Sequence, residues 1–187
     1  MTKQSRILYW PGMHRNSEEL LDTLETVTKQ SKSSLHWLKE PYDIGVLPNN
    51  RASDIHRFIE KETTFNWWIG LSLGAAVAFI VAASVSKSKR PKRITLINIF
   101  HDRKDLAKHK SFSLDDQWPL RPLDFIINSE IKVDLVVSKK DEKIPPSYSL
   151  NMMAVLNKYQ INLIELDADH QISSLSTQKC LAKLLLH

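Results

Sequence analysis

One cysteine, four glycines and no long low-complexity tract make the scarcities of this 187-residue chain informative. A lone Cys180 excludes an internal disulfide framework and cysteine-based zinc ligation. The opening MTKQSRILYW lacks the apolar run and small-residue cleavage site of a signal peptide, so a reducing cytoplasm is the expected compartment. No internal repeat is present. Charged residues make up 25% and hydrophobic ones 42%, which leaves enough apolar side chain for a buried core and excludes global disorder. Lys and Arg (26) outnumber Asp and Glu (21), for a net charge of +5. The excess does not gather into an aromatic-studded patch; its one dense run is Lys87, Lys89, Arg90, Lys92 and Arg93. A weakly basic enzyme is therefore expected, and a nucleic-acid partner is not.

Against a usual glycine share of about 7%, the four here are expected to stand where another residue would not fit. They are Gly12, Gly45, Gly70 and Gly74. Around them the chain alternates strand and helix signals. Arg6–Trp10 is a short apolar run stopped by Pro11-Gly12, and 17–30 carries Leu20, Leu21, Leu24 and Val27 at helical spacing behind a capping Ser17. A weaker strand at 34–39 follows, then a helix over 54–63 capped by Ser53, then an aromatic strand at 65–71. The segment 74–85 is small and apolar on every side and reads as a buried helix. Buried strands are expected at 94–100 (ITLINIF) and 133–138 (VDLVVS), a helix at 149–159, a strand at 162–166 and a helix at 177–186. The polar stretch 101–131, with Pro119 and Pro122 among apolar Phe112, Leu114, Trp118 and Leu120, interrupts the rhythm as a lid-like insertion in a single domain spanning 1–187. Strands alternating with helices imply an α/β fold with a mostly parallel sheet, and ligands then bind beyond the carboxyl ends of the strands.

Gly70-Leu71-Ser72-Leu73-Gly74 has the form G-x-S-x-G between an expected strand and an expected helix. A strand turning sharply into a helix strains the serine, and the positions two before and two after must be small for the backbones to close up. The same stretch has a rival reading. Residues 65–85, led by Trp67 and Trp68 and followed by KSKRPKR, have the look of a membrane helix with an aromatic belt, and Gly70 and Gly74 also form a small-xxx-small pair. Asn66 and Ser72 interrupt it, and the rest of the chain is a globular pattern.

An activated serine needs a base, and the base an orienting acid, in the order Ser, Asp or Glu, His. Of seven histidines, His170 stands in the loop directly behind the last expected strand, in IELDADH. Asp141 follows the strand before it, in VVSKKDEKIP, with Glu142, Asp167 and Asp169 as rival acids. The oxyanion requires preset donors. These are expected from the Leu73 N–H, directly after Ser72, and the Met13 N–H, with Gly12 permitting a tight turn that brings Met13 in.

Taken together, PGMHRN, GLSLGAA, VVSKKDEKIP and DADH make nearly the whole chain resemble a compact α/β-hydrolase of the small carboxylesterase or thioesterase type. It departs from the family in Pro11 before Gly12, where His is commoner, and in Asp169 before His170, where glycine is frequent. The resemblance implies a trimmed central parallel sheet and serine hydrolysis of an ester or thioester through an acyl-enzyme, with no metal and no organic cofactor. The substrate is expected to be a small acyl molecule, and the net positive charge would suit, as the runner-up within the enzyme class, an acyl chain borne on an acidic acyl carrier protein. A hydrolase-fold protein that has lost catalysis and only binds is the alternative from another class.

Overall fold

Residues of a strand point alternately to the two faces of its sheet, and in this chain both sets are apolar. Along Arg6–Trp10 (β1), Ile7 and Tyr9 join one core and Leu8 and Trp10 the other. The computed structural model describes residues 5–12, 20–38, 56–62, 64–99, 130–156 and 161–187. After β1 come the helix Leu21–Ser31 (α1), the strand Ser34–Trp37 (β2) and a helical stretch over 56–61. Next are the strand Trp67–Leu71 (β3), the helix Leu73–Ser84 (α2) and the strand Arg93–Ile97 (β4). The strand Lys132–Ser138 (β5), the helix Pro146–Leu156 (α3), the strand Ile161–Leu166 (β6) and the helix Leu175–Leu186 (α4) complete the order.

The six strands form one sheet in the order β2-β1-β3-β4-β5-β6, and every neighbouring pair is parallel. From β1 the chain moves outward to β2, returns past β1 to β3, and then steps steadily to β6. The helix behind β1 and the helix behind β3 cover opposite faces. Leu24 and Val27 of α1 pack with Ile7, Tyr9 and Ile69, together with Leu181 and Leu185 of α4. Ala75, Ala78 and Val81 of α2 pack with Leu8, Trp68 and Leu96 on the other side. The winding therefore reverses between β1 and β3, and the carboxyl ends of the strands at such a point are where doubly wound sheets place their ligands.

At the opposite end of the sheet, the alternation forces a polar residue inward at Asp134. Burying a carboxylate is costly unless it is paired and hydrogen-bonded. Arg93 Nε donates to its Oδ2 at 2.6 Å and Arg93 Nη2 to its Oδ1 at 3.1 Å, while the Thr95 hydroxyl donates to Oδ2 at 2.8 Å. Asn162 adds a bond from β6 at 3.1 Å, and the Arg93 guanidinium lies 4.2 Å over the Trp67 ring. This network staples β4, β5 and β6 together at the end away from the strands' carboxyl ends.

Several boundaries differ from those read in the sequence. α1 begins at Leu21 behind Leu20, whose φ is 68° and which caps without a side-chain bond. Leu20 is fully buried, and the gain from seating it in the core outweighs the missing cap. α3 begins at Pro146, three residues before Ser149, because a proline is preorganised for the first helical turn. β4 ends at Ile97, where Asn98 turns to a φ of 49°. Residues 65–85 are a strand and a 12-residue helix with a sharp break between them, and among the described residues no helix is long and apolar enough to cross a membrane. The lid-like insertion expected at 101–131 falls almost entirely outside the described residues, as do Ser17 and Ser53.

Candidate active site

The break between β3 and α2 is Ser72, with φ 54° and ψ −120°, a conformation that residues with a Cβ rarely occupy. Its surroundings hold it there. The Ser72 N–H donates to the Ile97 carbonyl at 2.8 Å, extending the β3–β4 ladder by one rung, and its own carbonyl accepts from Ala76 N at 3.2 Å, opening α2. Gly70 faces α2, and a Cβ there would lie 2.5 Å from the Ala75 Cα. A Cβ on Gly74 would lie 2.2 Å from the carbonyl oxygens of both Trp10 and Pro11. These are backbone atoms at the end of β1, so they yield only if the strand end moves. Gly74→Ala is accordingly expected to cost about 1–3 kcal/mol of stability, read by chemical denaturation. An alanine variant as stable as the wild type would contradict this packing.

Gly12 stands at the edge of the described residues, and the turn expected to bring in Met13 lies beyond it. Its φ is not positive, and a Cβ there would make only ordinary contacts, 3.5 Å from the Leu71 carbonyl oxygen and 3.6 Å from the Ser72 Cβ. Gly12 is therefore not required by a left-handed turn; it lies alongside the serine. Met13 falls outside the described residues. Leu73 opens α2, and its N–H is one of the first-turn donors that no carbonyl of the helix serves. The positive end of the helix dipole is thus presented beside the Ser72 side chain.

Two rungs beyond β5 and β6 bring the acid and histidine loops together. Lys139 N donates to the Leu166 carbonyl at 2.8 Å and Lys140 N to the Ala168 carbonyl at 3.0 Å. Asp141 then places Oδ2 2.7 Å from His170 Nδ1, with the carboxylate side chain 1% and the imidazole 10% exposed. Asp141 Oδ1 accepts from Lys143 N at 2.9 Å and Ile144 N at 2.7 Å, which fixes the carboxylate from its own loop. A carboxylate can only accept, so Nδ1 carries the proton and the neutral ring keeps Nε2 as its lone-pair nitrogen.

Of the four candidate acids, only Asp141 meets the imidazole. Asp169 turns back on its own loop, accepting from Ser173 Oγ at 2.5 Å and Ser173 N at 3.0 Å. Burial works to raise its carboxyl, but hydrogen bonds from Ser173, Ile172 and Gln171 outweigh that and hold it below the ordinary aspartate value. Asp167 pairs with Lys140 at 2.8 Å in the open, and Glu142 is exposed.

One residue at the site escapes a reading of the sequence. Asn98, 2% exposed, lies one residue beyond the Ile97 carbonyl that receives the Ser72 N–H. Its Oδ1 accepts from Ser138 N at 2.9 Å, and its Nδ2 donates to Ser138 Oγ at 2.9 Å and to the His170 carbonyl at 2.8 Å. The available signal was an asparagine near the end of the buried run ITLINIF, since asparagine tolerates a positive φ at low cost. Ser72 and His170 thus share one rim. Among the described residues no hydrogen bond joins the Ser72 hydroxyl to the imidazole.

No protein-family model matches the sequence. No curated protein matches it either. Solved structures do. The chain is similar to the esterase domain of a Rhodothermus marinus protein, with a TM-score of 0.77 at 14% identity over 100% of this chain and 87% of that one. It is similar to Est1E of Butyrivibrio proteoclasticus, solved with ferulic acid bound, at a TM-score of 0.71 and 13% identity over 98% and 89% of the two chains. A thioesterase domain from the curacin biosynthetic pathway gives 0.67 at 11% identity over 98% and 91%. The chain has an α/β-hydrolase fold.

Proposed function

We propose that the protein is a serine hydrolase that cleaves a carboxylic ester or thioester through an acyl-enzyme. The observation that carries this reading is the buried 2.7 Å contact between His170 Nδ1 and Asp141, on the same rim as a serine held in a strained elbow. In this scheme Ser72 Oγ attacks the acyl carbonyl as His170 Nε2 takes its proton. Asp141 holds the ring in the Nδ1–H tautomer and stabilises its cationic form. The oxyanion accepts from the Leu73 N–H, a donor already set by the start of α2, with the Met13 N–H proposed as the second donor. The intermediate collapses as His170 returns the proton to the departing alcohol or thiol. Water, deprotonated by His170, then attacks the acyl-serine, releases the acid and restores the hydroxyl.

The lack of a hydrogen bond between the Ser72 hydroxyl and the imidazole is compatible with this scheme, because catalytic hydrogen bonds often tighten only when substrate is bound. The esterase and thioesterase neighbours support the same class of bond, and the net positive charge suits an acidic acyl carrier as one source of the acyl group.

A fluorophosphonate probe tests the proposal without knowledge of the substrate, because it phosphonylates only a serine activated as a nucleophile. The expected result is one label per chain, mapped by peptide mass spectrometry to Ser72. An unlabelled protein, or a label on another serine, would reject the reading. Graded p-nitrophenyl esters and acyl-thioesters, free and carrier-borne, then define the acyl group and the leaving group.

A further inference from the structure

We propose that Asn98 is the positioning residue for His170, an inference that rests on the serine-hydrolase reading. Asp141 fixes the imidazole through its ring nitrogen, but a ring is placed only if its backbone is placed as well. The His170 main chain receives that constraint from the Asn98 Nδ2, through the 2.8 Å bond to its carbonyl. The same side chain engages both the N–H and the hydroxyl of Ser138, three residues before Asp141. Its backbone N–H, donating to the Val136 carbonyl at 2.9 Å, anchors it to β5. One buried carboxamide therefore ties the end of β4, which receives the Ser72 N–H at Ile97, to the strand that leads to the acid and to the loop that holds the base.

The residue type follows from these demands. The φ of 49° disfavours most side chains but suits asparagine. Only a carboxamide can accept from one backbone N–H while donating twice from the same end. Aspartate has the shape but no donors for the Ser138 hydroxyl and the His170 carbonyl. The inventory of polar groups also closes: Asn98 uses Oδ1 once and Nδ2 twice, with the side chain shut away from water. A buried network satisfied in this way fixes geometry well.

The test measures the rate and the extent of fluorophosphonate labelling of Ser72 in the wild type, Asn98→Gly and Asn98→Asp. Glycine accepts the positive φ and removes the carboxamide; aspartate keeps the shape and the acceptor but removes both donors. Each variant is expected to reach one label per chain, but with a maximal rate lower by about 10- to 100-fold, the penalty of misplacing a catalytic group by about an ångström. The probe concentration giving half-maximal rate should stay within twofold of the wild type. A merely structural role would lower the extent of labelling and leave the rate of the folded fraction alone. That outcome overturns the proposal, as does a folded variant labelled at the wild-type rate, or failure of both variants to fold. An unlabelled wild type rejects the hydrolase reading and the positioning role with it. A labelled wild type with equally fast variants rejects the positioning role alone.

Discussion

If Ser72 is the nucleophile as proposed, Ser72→Ala is expected to lower turnover by about 10⁶-fold while the protein stays folded, since removing the nucleophile of such a unit costs on that order. Retention of the fold follows from the conformation itself. The φ of 54° and ψ of −120° strain any residue with a Cβ, and alanine carries the same Cβ as serine, so the strain is unchanged. Ser72→Gly provides an independent check of the same elbow. It should be equally inactive, yet more stable than wild type by roughly 1–3 kcal/mol, the usual magnitude of such backbone strain. Turnover on the best ester found and the denaturation midpoint decide both. An alanine variant with even a tenth of wild-type turnover would remove Ser72 from the nucleophile's role. A glycine variant no more stable than the serine would mean that the elbow stores no strain.

The elbow was legible because its motif is local: two glycines flank Ser72 within five residues, and a strand signal before and a helix signal after supply the context. The backbone that Gly70 must clear is nearby at Ala75, but that facing Gly74 belongs to Trp10 and Pro11, far away in the chain. The parallel sheet was legible for a related reason: strands buried on both faces read as unbroken apolar runs, as ITLINIF and VDLVVS do. What could not be read depends on partners distant in the chain. Asp134 is apparent only as one polar residue in an apolar strand; its justification, Arg93, lies 41 positions earlier. Asn98 is silent in the sequence because its partners are Ser138 and His170, 40 and 72 positions away. The start of α1 at Leu21 was not legible for a different reason: Leu20, fully buried and with a positive φ, precedes it, and burial is a tertiary effect. Scarcity suggested that Gly12 stands where another residue would not fit, but its φ is not positive and an added Cβ would make only ordinary contacts with Leu71 and Ser72.

The acid is where sequence left four candidates and geometry separates them, and Asp141→Asn carries the second large expected effect. The asparagine would retain a carbonyl oxygen for the Lys143 and Ile144 N–H groups that now bond Oδ1. In that pose it turns an NH₂ toward His170 Nδ1, where the carboxylate oxygen now lies at 2.7 Å. A donor there favours the ring with Nδ1 bare and Nε2 protonated, and such a ring cannot accept the serine's proton. The structure should change little while turnover falls by up to about 10⁴-fold. Asp169→Asn should cost far less. Its carboxylate bonds Ser173 Oγ and N within its own loop and makes no contact with the imidazole. Glu142→Gln, at an exposed position, should be near neutral. The three variants are compared by turnover, with near-ultraviolet circular dichroism to verify packing. An active Asp141→Asn enzyme would exclude Asp141 as the orienting acid. An Asp169→Asn enzyme equally inactive and correctly folded would show that the loop conformation set by Asp169, and not the Asp141 contact alone, governs the base.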